Sequence, residues 1–308
     1  MKIRENINVS QVSWIQRGGA VEKYYEPESI EELISIITDL NRTGSRWDLV
    51  GMTSNIYFKE SYHIDNLIST KRLNHWEEKD DTIVCDCGVN VQLFSHKMVE
   101  SGIKGFEGLI DLPGTIGGAV YGNSGCYGNL ISDYLLHVDV LLTDGSIKTF
   151  QKEDLHFSQR QSDFKRGILK GTILRVTLRK EFGNKEELKL SAEKYHNIRK
   201  ATQPGPQNNL GTTYCKFGAR TTKGRLLSLL SGLYSHIYAI FVKDEKVCKR
   251  KRFELEFKSV GGSSVLPYLF HEGRFIWKDD KADDAFDKYQ TIVKKIYTNP
   301  QLEIEIRK

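Results

Sequence analysis

The chain reads as α+β, with many short strands and few helices, and three observations carry that reading. A capped amphipathic helix stands near the amino terminus, and alternating segments on either side of an Asp-Gly pair mark a hairpin. Between them lies a glycine-dense stretch that cannot form a continuous helix or strand. At 308 residues, about twice a typical domain length, two or three domains are expected.

The first helix is predicted in PESIEELISIITDL, residues 27–40, where Ser29 and Glu32 lie at capping-box spacing and Ile30, Leu33, Ile34 and Ile37 share one face. WDLVGMTSN runs from a short apolar strand into a turn, and ISTKRLNHWEEKDDTIVCDCGV alternates like paired strands. Asn90 is placed to cap a second helix with Leu93, Phe94 and Met98 inward and Gly102 as its stop. HVDVLLTDGSIKTF reverses at Asp144-Gly145, and GTILRVTLR follows as another strand. FGNKEELKLSAEKYHNIRKATQPGPQNN reads as a linker and helix leading into a separate domain. The clearest parts of that domain are the helix DDAFDKYQTIVKKIY, with Phe286, Tyr289, Val293 and Ile296 at helical spacing, its stop at Asn299-Pro300, and a terminal strand LEIEIRK.

Composition narrows the function classes. With 39% hydrophobic and 28% charged residues the chain has an ordinary soluble globular balance, and 26 glycines against 6 prolines exclude a collagen-like or proline-rich filament. A net charge of +5 suits anionic small molecules and falls short of a nucleic-acid binder's imbalance. MKIRENINVSQVSW has no apolar signal region, and no stretch approaches the ~18 apolar residues of a membrane span, so a cytoplasmic protein without membrane contact is expected. Five cysteines, an odd number scattered over the chain, fit reduced thiols. Cys85-x-Cys87 is too closely spaced for a zinc knuckle and has no second Cys/His pair nearby, so it reads as part of a strand and no metal is expected. The basic run KVCKRKR, Lys246 to Arg252, reads first as a solvated loop or strand edge, with phosphate attraction as the alternative.

Two glycine-bearing segments bear on chemistry. GMTSN lacks the G-x-G-x-x-G dinucleotide fingerprint, and PGTIGGAVYGNSG lacks the Gly-Lys-Ser/Thr ending of a P-loop. Each is either a tight turn or one of a pair of loops whose bare amides converge on a pyrophosphate.

The segment GFEGLIDLPGTIGGAVYGNSGCYG, Gly105 to Gly128, resembles the flavin loop of the UDP-N-acetylenolpyruvoylglucosamine reductase family, and weaker similarities follow in order around it. SWIQRGGA resembles the family's opening segment, and VGMTSNIYF stands where its short pyrophosphate loop belongs. RQSDFK resembles its active-site Tyr-Arg-x-Ser-x-Phe-Lys, RKATQP introduces its third domain, NLGTTYCK occupies its Gly-Ser-x-Phe-Lys position, and LEIEIR resembles its final Leu-Glu-x-Glu-Val-Arg.

The resemblance implies an FAD-binding fold of the PCMH/vanillyl-alcohol-oxidase type. Two α/β subdomains, 1–72 and 73–182, would hold the flavin, and a carboxy-terminal α+β domain, 183–308, would bind substrate. It also implies an NADPH-driven reduction of UDP-N-acetylglucosamine enolpyruvate in peptidoglycan precursor synthesis. Cofactor contacts would come from Gly51, Met52, Thr53, Ser54 and Asn55 in one loop and from Pro113, Gly114, Thr115, Gly117, Gly118, Asn123 and Gly125 in the other. Neither loop has the histidine that accompanies covalent flavin links in related oxidases, so FAD is expected to be non-covalent even with Cys126 in the flavin loop. Arg160 matches the arginine that holds the substrate carboxylate, and Glu305 the glutamate that assists it; a strand glutamate paired with Arg307 is the alternative for Glu305. Thr212 stands where the family has its proton-donating serine, Gln159 where it has a substrate-binding tyrosine, and Lys216 where it usually has an asparagine. These departures keep two alternatives in view: a diverged flavoenzyme acting on another sugar nucleotide or using oxygen, and a flavin-binding protein without turnover.

Overall fold

The computed structural model describes every residue except 204, 206, 207, 271 and 272. It divides into two compact units, one of residues 1–54, 60–203 and 308, the other of residues 55–59 and 204–307.

The first unit contains two sheets. In the four-stranded one, Lys2–Asn8 pairs antiparallel with Ala20–Glu26, which runs parallel to His63–Ser69, which runs parallel to Trp47–Val50. The helix Ile30–Thr43 covers this sheet, with Leu33 and Ile37 buried, Ser29 Oγ accepting from Glu32 N at 3.2 Å, and Gly44 left-handed at its end. The five-stranded sheet is antiparallel, in the order Ile147–Gln151, Leu135–Leu142, Gly171–Arg179, Thr82–Asp86, Trp76–Glu78. The Asp144-Gly145 reversal lies where the hairpin was expected, with Gly145 at φ 85°. One core joins both sheets, running from Ile30 and Ile68 through Phe94, Met98 and Phe106 to Val138, Val176 and Leu178.

Asn90 does cap Val91–Glu100, accepting from Leu93 N at 3.0 Å, and Phe94 and Met98 are fully buried. Leu93, expected inward, is 68% exposed, because it lies one residue off the stripe that contains Phe94 and Met98. Cys85 and Cys87 are buried, and loss of hydration pushes both thiols up, Cys87 to about 12.

The helix Lys185–Thr202 belongs to the first unit, so the boundary between the units falls at 203/204. The sequence placed a domain boundary at 182/183.

The second unit is built on short pairings around an aromatic core. Tyr214–Lys216 pairs with Gln301–Leu302, and Glu305–Arg307 runs parallel to Ile56–Phe58, so the single terminal strand expected from LEIEIRK is two short ones. The helix Ala282–Ile296 buries Phe286, Tyr289, Val293 and Ile296 as expected. Their neighbours are Tyr57, Phe275 and Trp277, with the Tyr57–Phe286 and Phe275–Phe286 ring centroids each 5.1 Å apart. KVCKRKR lies on the helix Glu245–Ser259, not in a loop or on a strand edge. Its charges are carried on a helix because Arg250 and Arg252 find Glu254 and Glu256 one turn on, at 3.1 and 3.5 Å.

Candidate functional site

The two glycine-bearing loops meet in the first unit. A Cβ added to Gly51 would stand 2.5 Å from Thr115 Oγ1, so this position has to lack one. Ser54 Oγ donates to the Pro113 carbonyl at 2.8 Å. Thr53 is buried at φ 56°, a conformation that costs a β-branched residue roughly 1–2 kcal/mol. Its Oγ1 accepts from Trp14 N at 2.7 Å, which ties the loop to SWIQRGGA.

On the opposite side, Thr115 caps Ile116–Gly122 by accepting from Gly118 N at 3.2 Å. Gly117 lies against Cys87, the residue that follows the strand Thr82–Asp86, where a Cβ would be 2.8 Å from the cysteine Cβ. Gly125 belongs to a tight hairpin of Gly125–Cys126 with Asn129–Leu130, and a Cβ there would be 2.4 Å from the Asn129 carbonyl. The close approach that Gly51, Gly117 and Gly125 permit is therefore approach of the chain to itself. Gly114, at φ 145°, and the exposed Gly118 have a less crowded Cβ direction.

A cavity of about 670 Å³ opens beside these loops, lined among others by Met52, Lys71, Arg72, Gly88 and Asn90. Asn90 was legible only as a helix cap, yet its Nδ2 also reaches Met52 Sδ at 3.2 Å. No local pattern announces a contact 38 residues away. The cavity's size is that of a small-molecule site, and its two cations are already matched by carboxylates, Lys71 by Glu26 at 2.9 Å and Arg72 by Glu28, which also lines the cavity, at 2.5 Å.

Asn123 supplies the second indication of a missing group. Its Nδ2 donates to the Ser158 carbonyl at 2.9 Å, while its Oδ1 is buried without a protein partner. A buried acceptor left unpaired costs roughly 1–3 kcal/mol unless a bound group donates to it. The same bond docks the segment that carries Arg160. Ser158 and Gln161 exchange backbone hydrogen bonds at 3.1 and 3.0 Å around Gln159-Arg160, with Arg160 left-handed at φ 58°. Ser162, fully buried, donates to the Tyr121 carbonyl at 2.6 Å. Arg160 is thus held half-buried on a short turn fastened at both ends to the glycine-rich segment, while Gln159 at its tip is exposed.

The helix Lys185–Thr202, read from sequence as a connector, also reaches that segment. Tyr195 stacks on Tyr127 at 4.8 Å, Arg199 Nη1 approaches Cys126 Sγ at 3.7 Å, and His196 meets Asp111 at 2.9 Å.

The remaining site residues lie in the second unit. Thr212 is half-buried beside Thr213, which is fully buried, with Oγ1 accepting from Phe275 N at 3.3 Å and its amide donating to the Gly273 carbonyl at 2.7 Å. Lys216 is exposed at the end of its strand. Glu305 does pair with Arg307, at 3.1 Å, and its carboxylate is only 18% exposed. Asn55 donates through Nδ2 to the Glu303 carbonyl at 3.0 Å and its backbone carbonyl accepts from Glu305 N at 2.9 Å, so side chain and main chain together hold the segment that carries Glu305. Elsewhere, Glu22, His63 and Asp65 gather on the surface, and ion pairs engage the three, Asp65 with Arg46 at 2.6 Å and Glu22 with His63 at 3.6 Å.

Residues 21–151 match the family model of the FAD binding domain. The UDP-N-acetylenolpyruvoylglucosamine reductase of Caldicellulosiruptor saccharolyticus is 31% identical over 199 residues, 64% of each chain, so this chain spans just under two thirds of that relative's length. The enzyme of the same name from Enterococcus faecalis is 28% identical over 206 residues, covering 67% of this chain and 68% of its own. The crystal structure of UDP-N-acetylenolpyruvylglucosamine reductase from Thermus caldophilus superposes over the whole of both chains, with a TM-score of 0.68 at 20% identity. The fold is accordingly that of an FAD binding domain over residues 21–151 and, over the whole chain, that of the Thermus caldophilus reductase structure, and the chain is similar in sequence to UDP-N-acetylenolpyruvoylglucosamine reductases.

Proposed function

We propose that this chain is an FAD-dependent oxidoreductase that takes a hydride from NADPH and reduces UDP-N-acetylglucosamine enolpyruvate to UDP-N-acetylmuramate in the cytoplasm. Residues 1–72 and 73–182 hold the flavin as two subdomains, and 183–308 binds the nucleotide sugar. The single observation that carries the reading is the fastening of the Arg160 turn to the glycine-rich segment through Asn123 and Ser162. It makes the proposed carboxylate holder and the proposed flavin loop one connected body.

FAD, when bound, would supply the hydride chemistry between NADPH and the substrate. The backbone amide of Gly114 would bind the pyrophosphate, with Gly118 and Ser54 shaping the cradle through their bonds to Thr115 and Pro113, and Asn123 Oδ1 would accept from the cofactor. Gly51, Met52, Thr53, Pro113, Thr115, Gly117 and Gly125 shape the two loops, and Asn55 steadies the strand that carries Glu305. Arg160 offers its planar fork to the substrate carboxylate and stabilises the negative charge that develops there as hydride arrives. Glu305, held by Arg307, assists that stabilisation. Thr212 Oγ1 gives its proton to the neighbouring carbon, while Gln159 and Lys216 contact the nucleotide sugar from exposed positions.

Stopped-flow spectroscopy on the purified protein tests this reading. NADPH is expected to bleach the flavin and the enolpyruvyl nucleotide to restore it. A colourless protein that takes up no FAD would overturn the cofactor assignment. A flavin bleached normally but restored only by oxygen or another sugar nucleotide would overturn the substrate assignment.

A further inference from the structure

The helix Thr222–Phe241 is turned inside out. Only Gly224 and Ser231 of its 20 residues are buried. The face it presents to the neighbouring helix Glu245–Ser259 is small and polar. Ser231 Oγ donates to Glu256 Oε1 at 2.8 Å, Arg252 donates to the Ser228 carbonyl and hydroxyl at 3.1 and 2.8 Å, and Ser235 Oγ faces the Cys248 carbonyl at 3.5 Å. Arg220 completes the network on Glu256 Oε2 at 2.7 Å. Most of the apolar residues point the other way, with Leu229 72%, Leu233 64%, Ile240 71% and Phe241 81% exposed, while Leu227 and Tyr238 are half-buried beside the serines. A surface helix of a water-soluble unit ordinarily does the reverse.

The outward face has a register. Leu226, Leu230, Leu233, Ile237 and Ile240 follow one another at alternating spacings of four and three residues, the seam of a helix that packs knobs into holes against another helix. Leu229, Tyr234 and Phe241 widen the seam on both sides. Together these side chains expose on the order of 900 Å², above the roughly 300–600 Å² of the largest apolar patch on a typical monomer and close to the ~800 Å² each partner contributes to a stable complex.

We propose that this face is a two-fold interface between two copies of the chain, formed by the pairing of Thr222–Phe241 with its own symmetry mate. Residues 226–242 contain no Asp, Glu, Lys or Arg, so the seam can meet itself without like-charge repulsion, as a self-complementary interface requires. A membrane surface is a poorer occupant. An interfacial helix sets Lys and Arg along its polar face to meet lipid headgroups, and here the polar face consists of serines engaged by the neighbouring helix.

Sedimentation of the purified full chain at micromolar concentration tests the pairing. The parent is expected at about twice its 35.3 kDa chain mass. Leu230→Glu combined with Leu233→Glu is expected at the single-chain mass with the same helical content, since both positions are exposed. Hydrogen exchange of the parent provides a readout that needs no variant: amides of 226–241 should gain protection on raising the concentration through the dimerisation range. A parent that stays at single-chain mass overturns the proposal, and so does a double variant that remains dimeric. Single-chain parent that co-sediments with vesicles of equal parts phosphatidylglycerol and phosphatidylcholine would assign the face to a membrane surface instead.

Discussion

The two units carry their candidate site residues in opposite ways. In the first, each element near the proposed flavin is fastened by the chain itself: Gly51 against Thr115, Gly117 against Cys87, Ser54 to Pro113, Asn123 to Ser158, Ser162 to Tyr121. In the second, Thr212 and Lys216 sit on a short strand and its approach, and it is their neighbours Thr213 and Tyr214 that are buried. The Gln159, Thr212 and Lys216 departures follow exposure rather than this division, since Gln159 lies in the first unit. Gln159 and Lys216 are exposed and Thr212 half-buried, whereas Ser162 and Phe164, which match the family, are buried. A residue that packing holds is constrained by the chain, and one that only a ligand would touch is free to change.

The largest expected effect strikes the fastened region. Gly117→Val would drive a branched side chain into Cys87, whose backbone oxygen also lies 2.9 Å from the added Cβ. Overpacking of this kind costs about 3 kcal/mol, and a thermal melt of the purified variant should fall accordingly, with most of the flavin lost. A variant that keeps its flavin and its melting temperature would mean that the two loops are not rigid.

The open region should behave in the contrary way. Thr212→Ala is expected to leave stability within about 0.5 kcal/mol. It should spare flavin reduction by NADPH and slow reoxidation by the enolpyruvyl nucleotide by ~10²-fold, the scale of a lost general acid. Thr212→Ser should equal or exceed the parent, since it keeps the hydroxyl and removes a methyl that restricts χ1. Thr213→Ala, one residue on, should show the opposite split: a lower melting temperature and little change in proton delivery.

Ser162→Ala tests the fastening of the Arg160 turn. It removes the 2.6 Å bond that the buried hydroxyl donates to Tyr121, at a cost of about 1 kcal/mol in denaturant unfolding. Turnover should drop through misplacement of Arg160 while the flavin remains bound.

The smallest effect concerns Asp163 beside that turn. Hydrogen bonds from His156 at 2.8 Å and then Arg166 at 2.8 Å hold its carboxyl below the usual aspartate range. A carboxylate depressed in the folded state contributes stability that is fully present above the unfolded value, near pH 4, and is lost as pH falls through the folded one. The melting-temperature difference between the parent and Asp163→Asn should therefore shrink below about pH 4. A difference independent of pH would assign the residue's contribution to packing.

The sequence by itself determined the elements whose signals are local. Ser29 and Asn90 cap the helices they were expected to cap, Gly145 turns its hairpin, and Phe286, Tyr289, Val293 and Ile296 form a buried stripe. Each depends on residues within a turn or two of one another, so spacing alone carries the information. The glycine-rich segment was legible as backbone under crowding, but not which atoms crowd it. Only the tertiary structure decided that Gly117 meets Cys87 and Gly51 meets Thr115, that Asn90 reaches Met52, and that Lys185–Thr202 packs on the glycine-rich segment. It also decided the orientation of Thr222–Phe241. Its amphipathic pattern was present in the sequence, but a period tells only that a helix has two faces. Which of them turns inward was set by Arg252 and Glu256 on the next helix, which offer serines better partners than they offer leucines.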